Sequence, residues 1–229
     1  MSKLLARGRV QRVLEQYRTY FRDKNFLSST GLAVLLFALS LWINFHAGMY
    51  ATSRSSNFVT DVVLSNVPVF HLEFLFVYGS IVFWALVAIL CLVKPRVIPF
   101  TLKSIALFVI IRAVFISITH IGPFPTHMEI NPASIVGDFT FGGDLFFSGH
   151  TGLPFLLALI FWENRFLRIA FVMTAIVFGV VVLLAHLHYS IDVLGAFFIT
   201  YTIFHIAEVI FKKDHRFLNA KNIESIFPK

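Results

Sequence analysis

Five apolar runs limit what this chain can fold into. Each is near the roughly 20 residues that a helix needs to cross about 30 Å of hydrocarbon. They are Gly31 to Thr52, Leu72 to Val93, Val97 to Thr119, Leu167 to Leu187 and Ile191 to Phe211. A sixth, shorter run goes from Leu153 to Trp162, or from about Ser148 if the preceding residues join the helix. Composition enters only as a check: 58% of the 229 residues are hydrophobic and 14% are charged, against roughly 45–50% and about 25% in soluble domains. A water-soluble globule is excluded, and so is disorder, because 28 Phe with so few charges must be buried in lipid or in the fold. The fold class expected is an all-α integral membrane protein with six transmembrane helices, short connections and both termini on one side.

The charges give the orientation. Of the 19 basic residues, 17 fall in the N-terminal segment, in the connections around Lys94 to Lys103 and Arg165 to Arg168, and in the tail after Phe211, leaving only Arg54 and Arg112. Lys and Arg are in excess in cytoplasmic segments, so the termini are expected inside and the loops Ser53 to His71 and His120 to Phe147 outside. The net charge of +7 and the pI near 9.8 then follow from topology. The positive charge is spread over four segments that face anionic lipid headgroups, which are the expected partners at the cytoplasmic face; nucleic acid is not.

Three parts result: a basic amphipathic cytoplasmic segment over residues 1–30, a six-helix membrane domain over 31–211, and a basic cytoplasmic tail over 212–229. The first 30 residues read as too long and too charged for a cleavable signal peptide. Within them Val10, Val13, Leu14, Tyr17, Tyr20 and Phe21 repeat at helical spacing among arginines, as in a helix lying in the membrane interface; a flexible basic tail is the alternative. The single cysteine, Cys91, allows no intrachain disulfide and no cysteine metal cluster, and reads as inert within the second span.

Residues able to do chemistry gather in the outer half. The loop after the third span contains Gly142-Gly-Asp-Leu-Phe-Phe-Ser-Gly-His-Thr151, with a helix starting at Ser148 or Gly149. Gly149 to Trp162 is 14 residues, about 21 Å of helix, too short for a full crossing. If its inner end lies at the cytoplasmic interface, its outer end is recessed and offers unpaired amides to an anion. His150 sits there. In the next outer turn His188 and Asp192 are four residues apart and share a helix face. A carboxylate on one ring nitrogen leaves the other as a free base, as a nucleophilic histidine requires. Arg112, on the outer half of the third span, needs an anion or a wet cavity, and phosphate suits its planar fork. One cation, two imidazoles and a carboxylate at headgroup depth fit phosphoryl transfer better than acyl or hydride chemistry.

Other readings stand beside these. His150 reads equally as a helix-terminal histidine bonded to a loop, and His188 with Asp192 as a pair fastening two helices. His186 competes as nucleophile, although it lies off the face of Asp192. Arg112 has Asp144 or Asp138 as alternative partners. His46, His71, His120 and His127 also face outward, but their spacings match no compact metal-ligand pattern, so no metal is expected.

Ser148-Gly-His-Thr151, preceded by Gly143-Asp144, together with His188-Tyr-Ser-Ile-Asp-Val193, resembles the sphingomyelin synthase branch of the type 2 phosphatidic acid phosphatase superfamily. The stretch from Arg112 to Pro125 is similar to that branch too, and the likeness runs from about residue 97 to 211. The resemblance implies a metal-independent membrane lipid phosphatase or phosphotransferase without cofactors, acting on a lipid phosphate or phospholipid headgroup through a phosphohistidine-type intermediate. It implies His188 as nucleophile, Asp192 as its orienter and His150 as general acid. Arg112, Ser148 and Gly149 would bind the phosphate and Asp144 would organise the site. A lumenal or periplasmic site is implied, in the inner membrane of a bacterium or in the Golgi or a related endomembrane of a eukaryote. The broader superfamily places a Ser-Arg pair before the nucleophile where this chain has Val181 and Val182, and its Lys-rich first motif is not found here; Arg112 would supply the missing charge. A transferase moving a phospho-headgroup to a lipid alcohol, and a non-catalytic lipid-binding or transport protein, are the alternatives.

Overall fold

A computed structural model of the chain describes residues 11, 13–128 and 142–219. Asp138, Val10, the outermost basic residues of the N-terminal segment and the end of the tail lie outside the described residues. A helical stretch over residues 13–20 leads into seven labelled helices. These are α1 (Lys24–Ser53), α2 (Glu73–Val93), α3 (Ile98–Ile118), α4 (Gly149–Ile160), α5 (Arg165–Leu184), α6 (Ser190–Ile210) and α7 (Lys212–Asn219), with a 3-10 turn at Pro95–Val97 before α3. Five of them, α1, α2, α3 with its leading turn, α5 and α6, are long and apolar enough to cross a membrane; α4 is apolar but has only 12 residues.

Local chemistry sets the ends. The carboxylate of Asp23 accepts from the amide of Phe26 at 2.7 Å, which satisfies one of the free amides at the start of α1. That cap extends α1 through Ser28, Ser29 and Thr30, so the boundary expected between residues 30 and 31 falls inside a continuous helix. Asn164 caps α5 in the same way through the amide of Leu167. Pro95 and Pro99 stand at the start of the turn and of α3, where a missing amide hydrogen costs little.

The helices run between two ends of one bundle. At one end the connecting loops bond to each other: Ser56 to His120, Phe70 to Leu184 and Met128 to Ala185, all through backbone groups. At the other end Tyr17 donates to the carbonyl of Leu92, and Lys103 pairs with Asp214 at 2.6 Å. Helix α3 is central. It packs chiefly on α1 and also meets α4, α6 and α7, while α4 is held by α5 and α6. Helix α2 leans on α5 and on the 3-10 turn, so it stands apart from α1.

The outward faces carry large apolar side chains on every long helix, among them Leu35, Trp42, Phe74, Phe166, Phe198 and Val209, each more than half exposed. Soluble proteins do not sustain an apolar surface of that extent, and the chain reads as an integral membrane protein. Helix α4 is sheathed instead: Leu156, Leu157 and Ala158 are fully buried. A Cβ on Gly152 would lie 2.7 Å from the ring of Phe108 and 2.9 Å from the hydroxyl of Thr200, so glycine there is what lets α4 approach α3 and α6.

Candidate active site

A cavity of about 790 Å³ opens at the looped end of the bundle. Its polar wall is Arg112, Asp144, His150, His186 and His188, with Gly149 between them. Asn44, Ser80 and His127 also line it; the remaining lining is apolar, with Phe37 and Leu41 from α1, Phe83 and Trp84 from α2, and Ile105 and Phe108 from α3. Ile105 is seven residues before Arg112, so this arm reaches about 10 Å along α3 away from the polar end. Its walls are the two helices that stand apart, α1 and α2.

Arg112 is 8% exposed on α3. Its Nε donates to the carbonyl of Phe147 at 2.8 Å, and Nη2 donates to the carbonyl of Asp144 and to its carboxylate at 3.1 Å. The ion pair with Asp144, open as an alternative in the sequence, is thus present, and the guanidinium lines the cavity as well. Three bonds on one edge fix the fork, and Nη1 keeps no partner among the described residues.

His188 and Asp192 come from the turn into α6. The Nδ1 of His188 lies 3.3 Å from Oδ2 of Asp192, which also accepts from the amide of Tyr189 at 2.8 Å. Asp192 is fully buried behind His188 and does not line the cavity. A carboxylate in the first turn of α6 is favoured by the free amides there, and it holds the imidazole by Nδ1 with Nε2 on the other edge. His150, on the first turn of α4, packs tilted against Phe76 with ring centroids 4.3 Å apart and meets the edge of Phe178 at 5.9 Å. The rings of His150, on α4, and His188, in the turn before α6, line the same hollow.

Ser148 is placed differently from the phosphate contact expected of it. It is fully buried, does not line the cavity, and its Oγ accepts from the amide and hydroxyl of Thr151 at 3.4 and 3.3 Å. The amide of Ser148 donates to the carbonyl of Asp192. Its hydroxyl caps α4, and its backbone ties the starts of α4 and α6 together. Gly149 does line the cavity, against the Nε side of Arg112.

Two neighbours of the site were not singled out in the sequence. Asp61, in the loop between α1 and α2, accepts from the amide and hydroxyl of Ser190 at 2.8 and 2.9 Å and from the amides of Val63 and Leu64. Burial opposes its ionisation, but these hydrogen bonds outweigh burial and hold the carboxyl below the ordinary carboxylate range. Tyr189 is buried and donates to the carbonyl of Gly122 at 2.8 Å, so both outer loops meet on the turn that carries His188. The only advance signal was an acid in an outer loop otherwise poor in charge.

Of the remaining histidines His127 also lines the cavity, whereas His46 and His120 do not. His46 packs on Trp42, His120 bonds to the carbonyl of Ser117, and His127 to that of Phe124. Among the described residues no group of three His, Cys, Asp or Glu is placed to hold a metal ion.

No curated protein and no solved structure gives a significant match to the chain. Residues 142–209, the stretch from the loop before α4 through most of α6, match the family described as PAP2 superfamily C-terminal. The matched segment holds Asp144, His150, His188 and Asp192 and leaves out Arg112. It supports a place for this chain in the type 2 phosphatidic acid phosphatase superfamily and a lipid phosphatase-type function.

Proposed function

We propose that the protein is a membrane lipid phosphatase or phosphotransferase working through a phosphohistidine intermediate in this cavity. The observation that carries the reading is the cavity itself: a cation from α3, an imidazole from α4 and another from the turn before α6 share one wall, and an apolar arm leads away from them. A phosphorylated lipid fits both parts. Arg112, with the amides at the start of α4, binds the phosphate oxygens. His188, held through Nδ1 by Asp192, attacks phosphorus with Nε2, and the phosphorus–oxygen bond to the alcohol breaks. His150 gives its proton to the departing oxygen. A second hydroxyl then attacks the phosphohistidine, His150 takes that proton, and His188 is released.

With water as the second hydroxyl the products are an alcohol and phosphate. In the sphingomyelin synthase-like reading, which the quoted motifs support, the second hydroxyl belongs to a lipid alcohol. The two outcomes share every residue named. The positive-inside bias supports an active site on the outer side of the membrane, with six crossings if α4 and its flanks complete the sixth.

The test is turnover of phosphatidic acid and of phosphatidylcholine by the full chain in detergent micelles, with and without ceramide. Released phosphate marks hydrolysis, and a new phospholipid marks transfer. His188→Ala should lower either rate by at least about a thousandfold while the protein stays folded. Unchanged turnover in that variant would end the phosphohistidine reading.

A further inference from the structure

His186 is not used in that scheme, yet it is the most constrained residue of the site. Its backbone takes φ 55, in the left-handed region that residues other than glycine seldom occupy. The side chain is 3% exposed and its ring lines the cavity beside His188. Nδ1 lies 2.7 Å from the hydroxyl of Thr126, and the ring meets Phe124 edge-on at 5.4 Å. Nε2 is buried and has no hydrogen-bond partner among the described residues. A residue kept only for packing needs no orphaned polar atom, since an apolar side chain would fill the space without one.

We propose that His186 is a substrate-binding residue whose Nε2–H donates to a non-bridging phosphate oxygen, and that Thr126 sets this tautomer. With the Thr126 hydroxyl donating to Nδ1, the ring proton resides on Nε2, the buried atom left without a partner in a ring that lines the cavity together with Arg112 and His188. Among the described residues the same ring has no carboxylate partner, so it is assigned as a donor and not a second nucleophile; that task belongs to the ring held by Asp192. The proposal rests on the phosphate-site reading of the cavity and adds a binding group to it.

Orthovanadate, a phosphate mimic, is the probe. Two readouts on the full chain in micelles are needed, vanadate inhibition or binding and the kcat and KM for phosphatidic acid. His186→Asn removes the Nε2 donor while keeping a side chain that tolerates a positive φ. It should weaken vanadate at least about tenfold and lower kcat/KM by about ten- to a hundredfold, with thermal stability unchanged or raised. Thr126→Val should give a smaller loss in the same direction, and Thr126→Ser should restore both, which a purely structural role for the hydroxyl's neighbours would not produce. Thr126→Val also carries the test if His186→Asn fails to fold. An enzyme that turns over, loses activity in His186→Ala and His188→Ala alike, yet keeps wild-type vanadate affinity in His186→Asn overturns this proposal alone. A wild-type protein that neither binds vanadate nor turns over phosphatidic acid overturns the phosphate site and this proposal with it.

Discussion

Asp61 and Ser190 are 129 positions apart, yet the carboxylate of one caps the helix that carries Asp192. Two residues before Ser190 stands His188, so the loop between α1 and α2 is fastened next to the proposed nucleophile. The carboxyl of Asp61 is held below the ordinary range because its hydrogen bonds outweigh its burial. The unfolded chain therefore binds more protons in the interval between the two values. The clamp contributes fully above the ordinary carboxylate value and is lost as the pH falls through the depressed one. Hydrogen exchange at the amides of Ser190, Val63 and Leu64, taken relative to the intrinsic rates, should stay protected down to that acid range and open within it. In Asp61→Asn the acid step should vanish; opening that begins near neutral pH would contradict this account. At this scale the sequence was legible where chemistry is local. His188 stands four residues before Asp192, just ahead of a helix that starts at Ser190, and the pairing is made across the helix start and not along one helical face. Asp61 was illegible because its partner is distant, and Ser148 was ambiguous because a serine before a helix serves equally as a cap or as a ligand.

Among the elements, the end of the bundle away from the cavity is held by a buried ion pair. The ammonium of Lys103 on α3 donates to Asp214 on α7 at 2.6 Å and to the hydroxyl of Ser29 on α1 at 2.7 Å, and Ser29 donates to the other carboxylate oxygen of Asp214. Both charged side chains are 6% exposed. Removing one partner strands the other in a dry site, which costs about 3–5 kcal/mol. Asp214→Leu should therefore lower the thermal midpoint in detergent by several degrees, and adding Lys103→Met should restore most of it, because an apolar pair needs no compensation. A double variant as unstable as the single would show that shape, and not charge, is what matters here. Lys103 was visible in the sequence only as a member of the basic flank, and Asp214 was not singled out. Their meeting depends on α7 folding back under α3 after the turn at Phe211, which periodicity does not encode. The helices themselves were legible for a simple reason: about 20 apolar residues have few other solutions in a membrane. The shortness of α4 was legible too, and the sheath of α3, α5 and α6 around it explains why so short a helix can be apolar on every side.

For the whole molecule the consequence of that short helix is a reactive wall set below the end of the bundle, with its apolar arm between α1 and α2. A phospholipid tail already dissolved in hydrocarbon gains little by moving into such an arm, since lipid chains are as apolar as its walls. The gain appears when the competing solvent is water. A series of short-chain phosphatidic acids below their micellar concentrations should thus show kcat/KM rising about fourfold for each methylene, the equivalent of about 0.8 kcal/mol. The rise should stop once the arm is full, because a longer chain no longer fits inside it. Replacing Trp84 on α2 by alanine lengthens the arm at its far end and should move that plateau to longer chains, leaving the slope before it unchanged. A series with no dependence on chain length would mean that only the headgroup enters, and that the space between α1 and α2 has no part in choosing the substrate.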